Sequence, residues 1–279
     1  MFKKFYSLLS FFIFVSLSLF VDQPPAKINI TPELKYPGDV VAIYAEIPIK
    51  PSGIFQNKEI RFYESGLGFK GITYVDIDTK PGDYPLTLNA GELSSTYSIE
   101  IRTKEFPVKH ITLQSEKVFL SPEDEKRAND ESALLKSIWD QVTPVPLWEG
   151  SFTKPTDSDI TSQFGVKRII NKKKESTHRG TDYRGKTGTP IKSINSGIVE
   201  LTDNHFYGGN TVVINHGLGL YSVYLHLSKT NVSTGEKINR GDIIGLVGST
   251  GRASGPHLHL SVKLNGESIN PESLYILEL

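Results

Sequence analysis

From Leu147 to its C-terminus the chain never sustains an apolar pattern of helical period. It runs as short β-branched and aromatic segments closed by glycines, at residues 198–201, 211–214, 221–226, 243–247 and 257–262. Segments of that kind bury their apolar side chains only by pairing, so residues 147–279 are expected to form an antiparallel β domain. The first half reads similarly. Residues 40–44, 60–63 and 97–101 are β-branched or aromatic, and Pro-Gly pairs at 37–38 and 81–82 mark turns between strands. Spacing of this sort predicts a small immunoglobulin-like β domain over residues 26–103, with no visible chemistry and the role of a spacer. The whole is an all-β chain interrupted once. Between about 121 and 140, Ser121 offers a cap, Pro122 suits the first helical position, and Glu123, Asp124 and Glu125 load the first turn with the favoured sign. Leu134, Leu135, Ile138 and Trp139 then recur at helical spacing, so residues 104–146 form a short helical connector whose Leu135 and Trp139 dock on a neighbouring domain.

The N-terminus places these domains outside the cytoplasm. Lys3 and Lys4 precede an apolar run over about residues 5–21, which Asp22 and Pro24-Pro25 end. Residues 1–22 therefore read as a signal peptide or, if uncleaved, as an N-terminal anchor in the inner membrane, and the remainder as exported to the periplasm or cell envelope. The absence of cysteine removes disulfides, thiolate metal ligands and a lipid-modified N-terminal cysteine, leaving nitrogen and oxygen as the only metal donors. Basic and acidic residues balance at 31 each, which gives no indication of nucleic acid as a partner. The balance is uneven along the chain: residues 151–279 hold 15 basic and 11 acidic side chains, residues 23–150 hold 14 and 19. A mildly basic second half suits an anionic polymer, and the run Lys172 to Lys174 is a solvated loop that would touch one.

Two short patterns carry the chemistry. The first is His178-Arg179-Gly180-Thr181-Asp182 and the second His257-Leu258-His259. Side chains two apart on a strand share a face, so His257 and His259 point together while Leu258, Leu260 and Val262 can bury behind them. His226 closes another strand. A catalytic zinc needs three protein ligands and an open position. His178, Asp182 and one of the paired histidines would supply them. The remaining histidines read as structural: His216 in a turn after a strand, held by hydrogen bonds, and His205 in a loop whose neighbours Phe206, Tyr207, Gly208 and Gly209 could line a substrate groove.

The stretches around these motifs extend the pattern: Ser162-Gln163-Phe164-Gly165, Gly188-Thr189-Pro190-Ile191, Tyr224-Leu225-His226-Leu227-Ser228, Gly241-Asp242-Ile243-Ile244-Gly245, and Gly248-Ser249-Thr250-Gly251-Arg252 leading into Gly255-Pro256-His257. In their order they closely resemble the lysostaphin-type (LytM-like) zinc metallopeptidases, which are peptidoglycan endopeptidases. The resemblance covers residues 147 to about 275. It implies one zinc ion per chain on His178, Asp182 and His259. It makes His226 and His257 the non-ligand catalytic pair that orients or deprotonates the attacking water and stabilises the tetrahedral oxyanion. It also implies peptidoglycan peptide stems as the substrate, with a D-alanyl-diaminopimelate bond fitting better than an oligoglycine bridge. Some members carry a tyrosine shortly before the first motif histidine; residues 171–175 here contain none. The alternative function is a catalytically silent wall-binding activator of another hydrolase. Members of that kind usually lack one or more of the five site residues, all of which are present.

Overall fold

The computed structural model describes residues 27–111, 120–171 and 174–279. The expected signal or anchor over residues 1–22 lies outside the described residues, as do Lys172 and Lys173 of the run expected to be a loop, whereas Lys174 opens a strand. Among the described residues no helix is long and apolar enough to cross a membrane.

Seven strands make up the first half: β1 (Lys27–Thr31), β2 (Val40–Glu46), β3 (Ser52–Phe55), β4 (Lys58–Ser65), β5 (Gly68–Tyr74), β6 (Gly82–Ala90) and β7 (Leu93–Ile101). They form one curled antiparallel sheet in the order β1-β2-β5-β4-β3-β6-β7. Strand β4 serves two leaves, its first residues pairing with β3 and its later ones with β5. The leaves enclose Val41, Ile43, Phe55, Ile60, Phe62, Leu86, Leu88, Ile99 and Ile101.

Strand β2 has a second face. Val40 and Ala42 point away from that core and, with Ile72 and Tyr74 of β5, join the core of the second half beside Trp148 and Phe152. A continuous apolar run such as Val40-Val41-Ala42-Ile43 is what a strand buried on both sides requires. Polar contacts frame this junction. Val40 donates its backbone N–H to Ser273 Oγ (3.0 Å), Asn270 Nδ2 donates to Asp39 Oδ1 (3.0 Å), and Arg61 reaches Asn265.

The connector supplies strand β8 (Val108–Ile111) as well as helix α1 (Pro122–Trp139). Helix α1 begins where its cap residue predicts, with Ser121 Oγ accepting from Asp124 N at 3.1 Å. Its exposed side carries a Lys126–Asp130 pair, and Arg127–Glu131, also four residues apart, lies towards the second half. Its apolar side docks Leu135, Ile138 and Trp139 on Val213, Tyr221 and Val223 of the second half. The Trp139 and Tyr221 rings meet edge to face at 5.1 Å.

The second half continues with β9 (Ile160–Ser162), β10 (Lys167–Ile170), β11 (Lys174–Thr177), β12 (Thr181–Arg184), β13 (Pro190–Lys192), β14 (Gly197–His205), β15 (Gly209–Gly217), β16 (Leu220–Leu227), β17 (Lys229–Thr230), β18 (Lys237–Ile238), β19 (Ile243–Leu246), β20 (His257–Leu264), β21 (Glu267–Ile269) and the single turn α2 (Pro271–Leu274). The main sheet runs β18-β14-β15-β16-β20-β12-β9, with β21 beside β20. Two three-stranded sheets flank it, β13-β19-β17 and β11-β10-β8; in the latter the connector strand β8 pairs in parallel with β10. Both halves are thus built of curled antiparallel sheet, with one long helix between them.

Candidate metal and catalytic site

The register of β12 against β20 builds the centre of the site. Asp182 sits directly opposite His259, and β16 places Leu225 on the other side of His259. Along β20 the burial alternates: Leu258, Leu260, Val262 and Leu264 are fully buried, while His257, His259, Ser261 and Lys263 face the opposite way. Gly180 lets the first motif close onto this face. A Cβ there would lie 2.5 Å from His259 Nε2 and from the Leu260 carbonyl, a place no larger residue can take.

Three donor atoms converge. His178 Nε2 is 3.0 Å from Asp182 Oδ1, His259 Nδ1 is 2.7 Å from the same oxygen, and the two ring nitrogens are 3.1 Å apart. The outer atoms of the three side chains are all committed. His178 Nδ1 lies 2.8 Å from the Gln163 carbonyl, which can only accept, so Nδ1 carries the proton and Nε2 is bare in the neutral ring. Ser261 Oγ donates to the Arg179 carbonyl (3.1 Å) and so accepts from His259 Nε2–H (2.8 Å), which leaves His259 Nδ1 bare. Arg168 Nη2 holds Asp182 Oδ2 at 3.1 Å and leaves Oδ1 to face inward. Two nitrogen lone pairs and a carboxylate oxygen therefore meet with no proton fixed among them, an arrangement that a cation satisfies. Burial lowers His259, consistent with a neutral ring. The set is two imidazoles and a carboxylate, two of them buried and His259 partly exposed, with outer hydrogen bonds orienting each ligand. It fits zinc in an open three-ligand site.

The other two predicted residues stand beside it. His226 Nδ1 donates to the Thr250 carbonyl (2.9 Å) and His257 Nδ1 to the Gly255 carbonyl (2.8 Å), so each presents a bare Nε2. Their rings are 4.9 Å apart, and His257 Nε2 lies 3.8 Å from Asp182 Oδ1. Residue His226 adopts φ +67°, a left-handed conformation that costs a non-glycine residue free energy. It is held there by its own N–H donated to the Gly208 carbonyl (2.7 Å). Burial, and next the neighbouring His257, push its imidazole down to about 4, so it is neutral at neutral pH and able to accept a proton.

All five residues singled out in the sequence are brought together. Arg168, Ser261 and the carbonyls of Gln163, Thr250 and Gly255 are additions. Ser261 was within reach of the sequence, since it lies two residues beyond His259 on the same strand face. Arg168 carries no signal, because only the folding of β10 over β12 places it. His216 lies apart from the site and fully buried, its Nδ1 donating to the Ser196 carbonyl (2.8 Å) and its Nε2 accepting from Ser222 Oγ (2.7 Å). His205 ends β14 and is buried.

A profile described as Peptidase family M23 matches residues 176–271. The peptidoglycan DD-endopeptidase ShyA of Vibrio cholerae is 44% identical over 119 residues, covering 42% of this chain and 28% of that protein; the chain thus spans just over a quarter of that relative's length. The solved catalytic domain of lysostaphin from Staphylococcus simulans is 32% identical, covering 42% of this chain and 90% of that one, with a TM-score of 0.38. A crystal structure from Pseudomonas aeruginosa assigned to peptidase M23 is 29% identical and covers 88% of this chain and 96% of that one, with a TM-score of 0.68. That last likeness extends over both halves and the connector.

Proposed function

The chain belongs to peptidase family M23, and from that premise we propose that it is a zinc-dependent endopeptidase that hydrolyses peptide cross-links of bacterial peptidoglycan. The observation that carries the reading is the convergence of His178 Nε2, Asp182 Oδ1 and His259 Nδ1, each bare and each fixed from behind. In this reading those three side chains hold one zinc ion per chain, which supplies Lewis acidity towards carbonyl and water oxygens. The bare Nε2 of His226 takes the proton of the attacking water as its oxygen bonds to the scissile carbonyl carbon. His226 then passes that proton to the leaving amine as the C–N bond breaks, while His257, whose bare Nε2 can take a proton from solvent, donates it as a hydrogen bond to the oxyanion. His226 and His257 are close enough to share these tasks. The complete set of five residues argues against a catalytically silent activator.

The relatives whose names include peptidoglycan endopeptidase activity support the wall as substrate. Export to the periplasm or cell envelope, through a signal or anchor in residues 1–22, accords with such a substrate. The test is digestion of purified peptidoglycan with the full chain and mass spectrometry of the released muropeptides. Loss of cross-linked dimers, abolished by a chelator and restored by zinc, is the expected result. Unchanged dimers with stoichiometric zinc bound would overturn the reading.

A further inference from the structure

The sheet face that carries His257 and His259 continues beyond them. Ser261 and Lys263 extend it along β20, and β16 sets Val223 opposite Ser261 and Leu225 opposite His259. Helix α1 passes over this part of the face, leaving a cleft of about 840 Å³ between helix and sheet. Glu125, Ser132, Lys136 and Trp139 line the helix side, and His205 and Tyr207 close one end. The helix is tied to that end. Glu131 accepts from Phe206 N (2.7 Å), and Arg127 donates to the Asn204 carbonyl (2.6 Å).

Three features mark this cleft as built for a ligand. Ser261 lines it and also receives the His259 N–H, so the cleft abuts the metal cluster. Lys263 is half-buried and feels the charge of Glu267, yet among the described residues no carboxylate lies within ion-pair distance of it or of Lys136. Of the two acidic side chains on the walls, Glu131 is already paired with Arg127 at 2.7 Å. His205 is only 4% exposed and lines the cleft; its Nε2 makes no hydrogen bond among the described residues, with Asp203 Oδ2 3.7 Å away. A buried polar nitrogen without a partner costs about 1–3 kcal/mol, so such atoms ordinarily await a water or a ligand.

We propose that the cleft beneath α1 is a subsite for a peptide stem bearing a free carboxylate, which Lys263 and Lys136 hold on one side of the scissile bond. This rests on the peptidoglycan reading above and adds to it a recognised group. The carboxylate supplies the close ion pair that the two lysines lack, and His205 supplies a polar contact to the stem's amides. The apolar floor of Val223 and Leu225 packs against its aliphatic part.

The full zinc-loaded chain is assayed on a muropeptide dimer with free stem carboxylates and on the same dimer amidated. The unaltered protein is expected to prefer the first. Lys263→Met should raise KM for it by about tenfold or more, the loss appearing in KM rather than kcat, and should remove the preference; Lys263→Arg should retain it. Ser132→Trp, which fills the cleft from the helix side, should raise KM for both dimers. No preference in the unaltered protein, or an unchanged KM in both Lys263→Met and Ser132→Trp, would overturn the subsite while leaving the endopeptidase reading intact. If neither dimer is cut, that reading falls instead, and calorimetric titration with the free tetrapeptide stem decides the cleft alone. Binding weakened about tenfold by Lys263→Met supports it, and equal binding by both proteins refutes it.

Discussion

Strands β2 and β20 are similar in length and opposite in use. Strand β2 is apolar on both faces because it separates two cores, with Val41 and Ile43 in one and Val40 and Ala42 in the other. Strand β20 is apolar on one face only, and the other reads His257, His259, Ser261, Lys263. The difference teaches where each half does its work. An unbroken apolar run marks a seam between domains, whereas strict alternation with polar residues on the off-beat marks a floor on which chemistry is laid. Substitutions should therefore divide by strand, those on the polar face of β20 and its partners affecting function and those on β2 and β5 affecting stability.

The largest effect is expected at Asp182, opposite His259. Asp182→Ala removes the oxygen shared by both histidines, so metal content by atomic emission and wall-cutting activity should disappear together; stoichiometric zinc in the variant would break the assignment. Next come the flanking histidines. His257→Ala and His226→Ala should keep most of the metal and lose about 10²- to 10⁴-fold in turnover, the usual cost of losing one general base or transition-state donor. A metal-free His257→Ala beside a zinc-loaded His259→Ala would reverse the roles within the pair.

The seam is tested by two truncations of equal chemistry. Ile72→Ala and Ile43→Ala should each cost about 2–5 kcal/mol. The first, facing the shared core, should loosen amide exchange in β16 and β20 as well as in β2; the second should act mainly within the first half. Identical exchange patterns would dissolve the distinction between the two faces.

A comparable loss should come from acid. His216 is fully buried, and burial pushes its imidazole down to about 4. The unfolded chain protonates near 6.5 while the folded one resists, so stability is full above about pH 6.5 and falls as pH drops towards 4, by about 3 kcal/mol. His216→Gln should flatten that part of the denaturation profile.

The smallest effects belong to the outer hydrogen bonds. Ser261→Ala and Arg168→Met should each weaken zinc binding by about 10- to 100-fold, read by chelator competition, with little change in melting temperature.

Much of this division was legible in the sequence. The period of two in His257-Leu258-His259 located the floor, and Ser121-Pro122 located the helix to within a residue. The seam was harder to read. Val40-Val41-Ala42-Ile43 was recognisable as a strand, but nothing local says what covers its second face, because Ile72, Tyr74 and Trp148 arrive from elsewhere. Strand β5 escaped notice because Gly68 and Gly71 interrupt its apolar pattern; a Cβ at Gly71 would strike Phe62 and Ile60 at 2.8 and 2.9 Å, so the glycine belongs to the packing rather than to a turn. Arg168 was invisible for a related reason, since its partner Asp182 is 14 residues away across a fold in the chain.

The seam has a practical consequence for anyone wishing to produce the peptidase half by itself. Released at about residue 141, that half would present to water the patch now roofed by Val40, Ala42, Ile72 and Tyr74, with Trp148 at its centre. Exposed oily patches of this kind drive self-association. A trimmed enzyme would need its underside resurfaced with polar side chains before it behaved in solution, while its catalytic rim, on the far side of the sheet, would need no redesign.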